Sequence, residues 1–129
     1  MKLSETKVEL LAPAGKWSVL EAVIEAGADA VYLAGKRFNM RMHRSDFNFS
    51  DQQLAIAVEY AHTRNVKIYV TVNNLLGDSE TKSLSQYLNY LQEIDVDAII
   101  IHDLGVLYLM NELKLKIPMH ASTMMNVHS

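Results

Sequence analysis

Polar side chains recur where the apolar runs of this sequence end, and their types could bind or activate a substrate. Asn73 and Asn74 follow the run VKIYVTV, and His102 and Asp103 follow the run DAIII. A third polar group, consisting of Ser122, Thr123 and Asn126, follows the run IPMHA. An imidazole or a carboxylate can act as a general base, while amides and hydroxyls position a substrate by hydrogen bonds. Asp103, His102 and Asn73 are therefore our candidate catalytic residues.

Each of these residues also has a structural role open to it. Asn73 and Asn74 can make turn hydrogen bonds, and Asp103 can cap the next helix. His102 beside Asp103 is weak evidence for a base or a metal ligand, because neighbouring residues rarely converge on one atom. A serine triad of Ser122, His102 and Asp103 lacks the G-x-S-x-G setting of a nucleophile elbow. We assign no metal ligand.

A second candidate binding feature is the basic segment from residue 35 to residue 49. It contains four cations and one acid, for a net charge of +3 in a chain whose total is −3: Lys36, Arg37, Arg41, Arg44 and Asp46. Such cations can bind the phosphates of RNA or the carboxylate of a peptide or small acid. A solvated basic loop over the site is the structural alternative. We select these residues as substrate-binding candidates: Arg41, Asn48, Lys36, Asn74, Ser122, Thr123 and Asn126.

The elements that must hold these residues alternate between short apolar strands and amphipathic helices. Strands are predicted at 8–12, 29–34, 66–72, 97–101 and 117–121. Capping boxes at Ser18 and Ser50 predict the first two helix starts, and Gly27 and Asn65 predict their ends. The third helix carries one apolar stripe, formed by Leu84, Tyr87, Leu88 and Leu91. Asp103 begins a fourth helix that runs through Leu113.

This order of elements predicts the fold class. The run DAIII is apolar without alternation, which is typical of a strand covered on both faces, as in a parallel sheet. Repeated βα units then give parallel strands joined by right-handed crossovers. No G-x-G-x-x-G follows the first strand, which disfavours a dinucleotide-binding sheet. We predict an α/β fold of parallel βα repeats, in which residues 1–129 form a single domain, the first half of a TIM-type (β/α)8 barrel of about 250 residues.

Composition limits the chemistry and the location. The chain has 129 residues, half of them apolar, and no cysteine, so it offers no disulfide and no thiolate. We expect no cofactor within this chain. No apolar run approaches the roughly 20 residues that cross a bilayer, so we expect a cytoplasmic protein with no membrane partner. The open edges of the first and fifth strands favour a homo-oligomer, which light scattering would detect.

The motifs ELLAPAG, AGADAVYLAGKRFNMR, KIYVTVNNLL, VDAIIIHDLGVL and IPMHASTMMNV closely resemble the N-terminal part of the peptidase U32 family, the bacterial collagenase-like proteases. The resemblance covers residues 8–127 and implies a TIM-type barrel whose later strands are missing here. It includes Arg41 and Asn48 in the part that matches most closely. Family members include peptidases and proteins needed for hydroxylation of tRNA or ribosomal RNA bases. Several hold an iron–sulfur cluster through cysteines, which would lie beyond Ser129.

Three hypotheses follow from the residues and the resemblance. In the first, the chain is a fragment of a U32 peptidase that hydrolyses peptide bonds. In the second, it belongs to a hydroxylation factor for tRNA or 23S rRNA, whose basic segment grips the RNA backbone. In the third, it is an inactive scaffold fragment. We expect the fragment alone to be inactive.

Overall fold

Five strands and four helices alternate along the part of the chain that the structure describes. A computed structural model describes residues 9–36, 49–73 and 81–126, with only the backbone described for residues 81 and 122–126. The elements are β1 (Leu11–Pro13), α1 (Trp17–Glu25), β2 (Ala30–Ala34), α2 (Asp51–His62), β3 (Lys67–Val72), α3 (Thr81–Glu93), β4 (Ala98–Asp103), α4 (Leu104–Leu113) and β5 (Met119–Asn126).

The strands form one sheet in the order β1-β2-β3-β4-β5, and every neighbouring pair is parallel. This order confirms the predicted series of βα repeats. The predicted end of the fifth strand was wrong, because β5 continues from residue 119 to Asn126. Its ladder with β4 is irregular after Ile101 and resumes where Asp103 pairs with Asn126. An irregularity of this kind extends a strand beyond its short apolar run.

The helices cover one face of the sheet and build the main core there. On this helix face, alternate residues of β2, β3 and β4 pack against α2 and α3. The predicted stripe of α3 is confirmed, since each of its four residues is fully buried: Leu84, Tyr87, Leu88 and Leu91. The predicted apolar face of α2 is likewise buried: Leu54, Ala57, Val58 and Ala61.

All four helices end in the same way. Each is followed by a residue with a positive φ angle, namely Gly27 (103°), Asn65 (60°), Asp95 (66°) and Lys114 (55°). In every case the N–H of this residue donates to the carbonyl three positions back, and the next N–H donates five positions back. This is the Schellman arrangement, which satisfies carbonyls that the helix end leaves unpaired. The predicted helix ends at Gly27 and Asn65 are confirmed.

The helix starts differ from one another. Ser50 forms the predicted capping box, because its side chain accepts from the N–H of Gln53 and its own N–H donates to Gln53 Oε1. The capping box predicted at Ser18 was wrong. The turn after β1 enters α1 earlier, so Lys16 occupies the N-cap without a side-chain bond and Ser18 lies inside the first turn.

The first strand is more exposed than its sequence predicts. The run VELLA is typical of a buried strand, yet Leu10 is 56% exposed and Leu11 is 42% exposed. In the described sheet β1 has a neighbour on one side, β2, so its other edge and much of its side-chain surface face solvent. This edge is the kind that invites pairing with another strand, and self-association through it stays a prediction.

Two aspartates make the same pair of hydrogen bonds to the preceding strand region. Asp29 accepts from the N–H of Leu10 at 2.8 Å, and its own N–H donates to the Leu10 carbonyl. Asp97 repeats both bonds with Ile68, accepting from its N–H at 2.7 Å. His62 also contacts the same Asp97 oxygen, at 2.7 Å. The segments EAGADAVYL and EIDVDAIII both place Asp-Ala before an apolar strand, and they therefore also share a pattern of hydrogen bonds.

Replacing Asp97 by alanine should destabilise the chain. The Ile68 N–H would lose its side-chain acceptor in a part-buried position, which costs about 1–3 kcal/mol. Asp97→Asn serves as the matched control, because its amide oxygen can still accept that bond. Urea denaturation of the three proteins measures the difference. Equal stability of Asp97→Ala and the parent chain would contradict this role.

Candidate substrate-binding mouth

The face of the sheet opposite the helices carries a separate set of side chains. Its small cluster is built from Ala30, Tyr69 and Ala98, with Tyr32 and Ile100 packed against it. We call this the inner face. We call its end, where β2, β3 and β4 finish, the mouth. In parallel βα folds, ligands bind at this end of the strands.

His102 and Asp103 leave β4 in opposite directions. Ile100 belongs to the inner face and Ile101 to the helix face, so strand alternation places His102 on the inner face and Asp103 on the helix face. Asp103 is the N-cap of α4, and its Oδ1 accepts from the Val106 N–H at 3.0 Å. The structure therefore assigns the carboxylate a capping role, and its catalytic role stays a prediction.

Asn73 and His102 lie side by side at the mouth. Val72, the last residue of β3, pairs with Ile101, so the register continued by one step places Asn73 beside His102. Strand alternation, continued in the same way, assigns both to the inner face. Asn73 is 3% exposed. The Nδ1 atom of His102 is buried and has no hydrogen-bond partner in the described part of the chain. These two predicted site residues are brought together.

The other predicted site residues fall into three groups. Lys36 is exposed just beyond β2, at the mouth. Arg41, Asn48 and Asn74 lie outside the described residues. For the polar group at the fifth strand the backbone is described: Ser122, Thr123 and Asn126. The expectation that they follow the strand was wrong, because β5 runs through Asn126, its last residue.

The basic segment leaves and re-enters the fold at adjacent points of the mouth. Gly35 and Phe49 form a parallel bridge. The N–H of Lys36 donates to the Phe49 carbonyl at 2.8 Å, and the Phe49 N–H donates to the Ala34 carbonyl at 2.9 Å. Phe49 is 2% exposed and belongs to the main core, so its side chain anchors this end of the segment. The described residues that flank residues 37–48 therefore lie next to each other beside the strand ends.

Gly35 is required by close packing rather than by its backbone angle. A Cβ added there would overlap the Tyr87 hydroxyl and lie 3.2 Å from Leu54 Cδ1. The side chains of α2 and α3 therefore pack directly against the backbone at the base of the basic segment. This contact joins the helix core to the mouth.

A polar layer that the sequence analysis missed lies nearer the start of the strands. The Tyr69 hydroxyl donates to Glu9 Oε1 at 2.8 Å, and Lys67 Nζ lies 3.7 Å from Glu9 Oε2. The rings of Tyr69 and His120 meet edge to face at 5.0 Å. His120, in the strand run IPMHA, is nevertheless exposed, because the inner face is open. The sequence does contain a pattern that indicates this layer: Lys67, Tyr69 and Thr71 carry polar groups at every second position of β3.

The described residues contain neither a group of side chains placed to hold a metal ion nor a helix suited to cross a membrane. Across residues 9–36, 49–73 and 81–126, no three histidine, cysteine, aspartate or glutamate side chains are placed to hold a metal ion. The chain has no cysteine, so its residues do not fit a cysteine-bound iron–sulfur cluster. In the same ranges, no helix has the length and apolar character needed to cross a membrane.

The fold and the mouth define a partial (β/α) barrel with its ligand-binding end at the strand ends. A solved aldolase of the HpcH/HpaI type from Desulfitobacterium hafniense superposes with a TM-score of 0.60 at 14% sequence identity. The match covers 99% of this chain and 44% of the aldolase. At this identity the likeness concerns the fold, and it confirms the predicted half-barrel.

The chain belongs to peptidase family U32, whose model matches residues 15–129. An uncharacterized protease of Methanocaldococcus jannaschii is 39% identical over 93% of this chain. The tRNA hydroxylation protein P of Helicobacter pylori is 36% identical over 94% of it. The 23S rRNA 5-hydroxycytidine C2501 synthase of Escherichia coli is 35% identical over the whole chain.

The chain spans a minor part of each of these relatives. It corresponds to 28% of the archaeal protease, 28% of the tRNA hydroxylation protein and 19% of the rRNA enzyme. The relatives' names therefore describe proteins several times longer than this chain, and the family does not by itself choose between proteolysis and RNA hydroxylation.

Gly35→Ala should destabilise the chain by about 1–3 kcal/mol, because the new methyl group overpacks the contact with Tyr87. The same substitution should cost less in a Tyr87→Phe background, where the overlapping hydroxyl is gone. Thermal or urea denaturation of the four proteins of this double-mutant cycle measures the coupling. Strictly additive effects would show that the hydroxyl is not the obstacle.

Tyr69 should titrate later than an ordinary tyrosine. Burial, followed by its bond to Glu9 and the charges of Glu9 and Asp97, raises the pKa of Tyr69 from 10.0 to about 12. The folded state thus favours the neutral phenol. Its contribution to stability is complete below pH 10 and is lost as the pH rises from 10 towards 12.

Absorbance of phenolate in an alkaline titration tests this. Tyr69→Phe should remove a late-titrating tyrosine, and Glu9→Gln should lower the pKa of Tyr69. Tyr90→Phe is the control. The pKa of Tyr90 is also raised, but by burial and by the charges of Asp51 and Glu93 rather than by Glu9. A titration that Glu9→Gln leaves unchanged would contradict the proposed cause.

Proposed function

We propose that the protein containing this chain serves in RNA base hydroxylation, and that this half of its barrel binds the RNA at the mouth. The observation that carries the proposal is the bridge at the mouth between Gly35 and Phe49, the two ends of a sequence segment of net charge +3. Two relatives named for RNA hydroxylation, at 36% and 35% identity, support the substrate class.

The charge pattern fits a polyanion better than a neutral chain. The basic segment is cationic while the chain as a whole is at −3, so the cations are concentrated on one part of an acidic body. Cations bind phosphates without regard to sequence and position an RNA strand on a protein. Lys36, at the foot of the segment, and Arg41 within it are the proposed phosphate contacts.

Hydroxylation replaces a base C–H by C–OH, a net oxidation that needs an oxygen donor. We assign this chain the binding of RNA and no step of the oxidation. The proposal includes a bacterial, cytoplasmic setting, where RNA is found. A cluster in the full-length protein would need cysteines from outside this chain, and association of copies through the β1 and β5 edges is a further part of the proposal.

Deletion of the gene and nucleoside mass spectrometry of tRNA and rRNA test this function. A hydroxylated nucleoside should disappear and return with the wild-type gene. A Lys36→Glu, Arg41→Glu gene should restore at least fivefold less of it. The charge-matched control is Lys114→Glu, Lys116→Glu, at the opposite end of the strands, which should restore the full amount. Unchanged RNA hydroxylation in the deletion strain would refute the proposal.

Binding by the purified full-length protein gives an independent measurement. For single strands, the logarithm of affinity falls with the logarithm of salt concentration by about 0.7 per phosphate contact. Loss of the contacts of Lys36 and Arg41 should therefore flatten this slope by about 1.4, twice that value. A slope equal to that of the control variant would show that these cations do not touch phosphate.

Peptide hydrolysis is the second candidate, favoured by the 39% identity to a relative named as a protease. In that case the mouth would bind an extended peptide, and His102 on the inner face would be the base available to the reaction. Full-length protein should then cleave denatured collagen, and His102→Ala should lower the rate by about 10²-fold or more. Cleavage indifferent to His102 would remove this assignment.

A further inference from the structure

We infer that Asn73 and His102 form a pair that reads the edge of one RNA base at the mouth. The inference rests on the proposed function and deepens it, because it concerns which part of the RNA these residues contact. The phosphates are assigned to the cations of the basic segment. The base is assigned to the amide of Asn73 and the imidazole of His102 beside it.

The placement of the two residues supports a joint contact. Asn73 directly follows β3 and His102 lies in β4, each one step beyond the pair formed by Val72 and Ile101. Continued strand alternation assigns both to the inner face at the mouth. Neighbouring strands lie about 4.8 Å apart, which suits two side chains that contact adjacent atoms of one planar group. Asp103, the nearest carboxylate in sequence, is drawn to the helix face by its bond to Val106.

The burial of Asn73 and of His102 Nδ1 favours a bound ligand that contacts at least one of the two residues. Asn73 is 3% exposed, and the buried Nδ1 of His102 has no partner within the described residues. More than nine in ten buried polar groups in proteins are hydrogen-bonded, because desolvation without a bond is costly. An imidazole nitrogen left in this state is accounted for if a bound molecule supplies the missing hydrogen bond.

The chemistry of the pair matches a base edge. An amide offers both a donor and an acceptor, and a neutral imidazole offers one of each. Bases present donors and acceptors side by side on their Watson–Crick edges, and unstacked bases of single-stranded RNA are read there. Asparagine is among the side chains that recognise bases by paired hydrogen bonds.

The test uses the full-length protein and short single-stranded RNAs that differ at one central position. That position carries uracil, cytosine, adenine, guanine or no base. Fluorescence anisotropy should show at least one base-bearing RNA bound fivefold or more tightly than the abasic RNA. His102→Ala and Asn73→Ala should remove this difference while the affinity for the abasic RNA stays within twofold.

Four further variants separate base reading from folding and from charge. His102→Asn, whose amide can replace one hydrogen bond, should keep part of the base preference. Asn73→Asp keeps the shape but exchanges a donor for an acceptor, so it should change which base is preferred. The matched control His62→Asn alters a histidine at the other end of the strands and should keep the full preference, whereas Lys36→Glu should weaken all five RNAs equally.

The outcomes for the two proposals differ. If the wild-type protein binds none of the RNAs, both the proposed function and the base-reading pair fail. If it binds all five equally, or if the base preference survives both alanine variants, RNA binding stands and the assignment of Asn73 and His102 is overturned.

Discussion

Successive residues of a strand must point to opposite faces of the sheet, and the arrangement of this molecule depends on that constraint. One face of β2, β3 and β4 is occupied by the packed helices, which leaves the other face for polar chemistry. The neighbours His102 and Asp103 are divided by the same rule: one faces the inner side, and the other starts a helix. The adjacent residue that can cooperate with His102 is then across the strand ladder, at Asn73, rather than next in the chain.

The strands keep their relative positions because every return from helix to strand has the same geometry. Four left-handed residues end the four helices with equivalent hydrogen bonds. Asp29 and Asp97 then fix the register of the following strand against the preceding one. The returns lie at one end of the strands and the mouth lies at the other.

The parts of the fold that the sequence predicted depend on local patterns. Alternating βα order, the stripe of α3, the box at Ser50 and the turn at Gly27 each lie within a short stretch and were confirmed. Ser18 fits its motif equally well, but the tight turn after β1 moved the helix start to an earlier residue. A local motif cannot report such a shift, because the turn geometry decides it.

The parts that could not be predicted depend on residues far apart in the chain. Tyr69 and Glu9 are separated by 60 positions, and their bond follows from the pairing of strands rather than from any motif. The extension of β5 arises from its irregular ladder with β4. The face of the sheet on which each mouth residue lies could not be predicted, because it depends on β4 continuing through Asp103, two residues beyond its apolar run.

The bridge between Gly35 and Phe49 has a consequence for how such proteins diversify. It joins the two described residues on either side of the segment, so the barrel core contacts two fixed anchor points whatever the length of chain between them. Doubling a loop of this kind adds only about 0.6 kcal/mol of closure entropy. Related barrels can thus exchange whole loops at this position, acquiring new ligands while inheriting an unaltered scaffold.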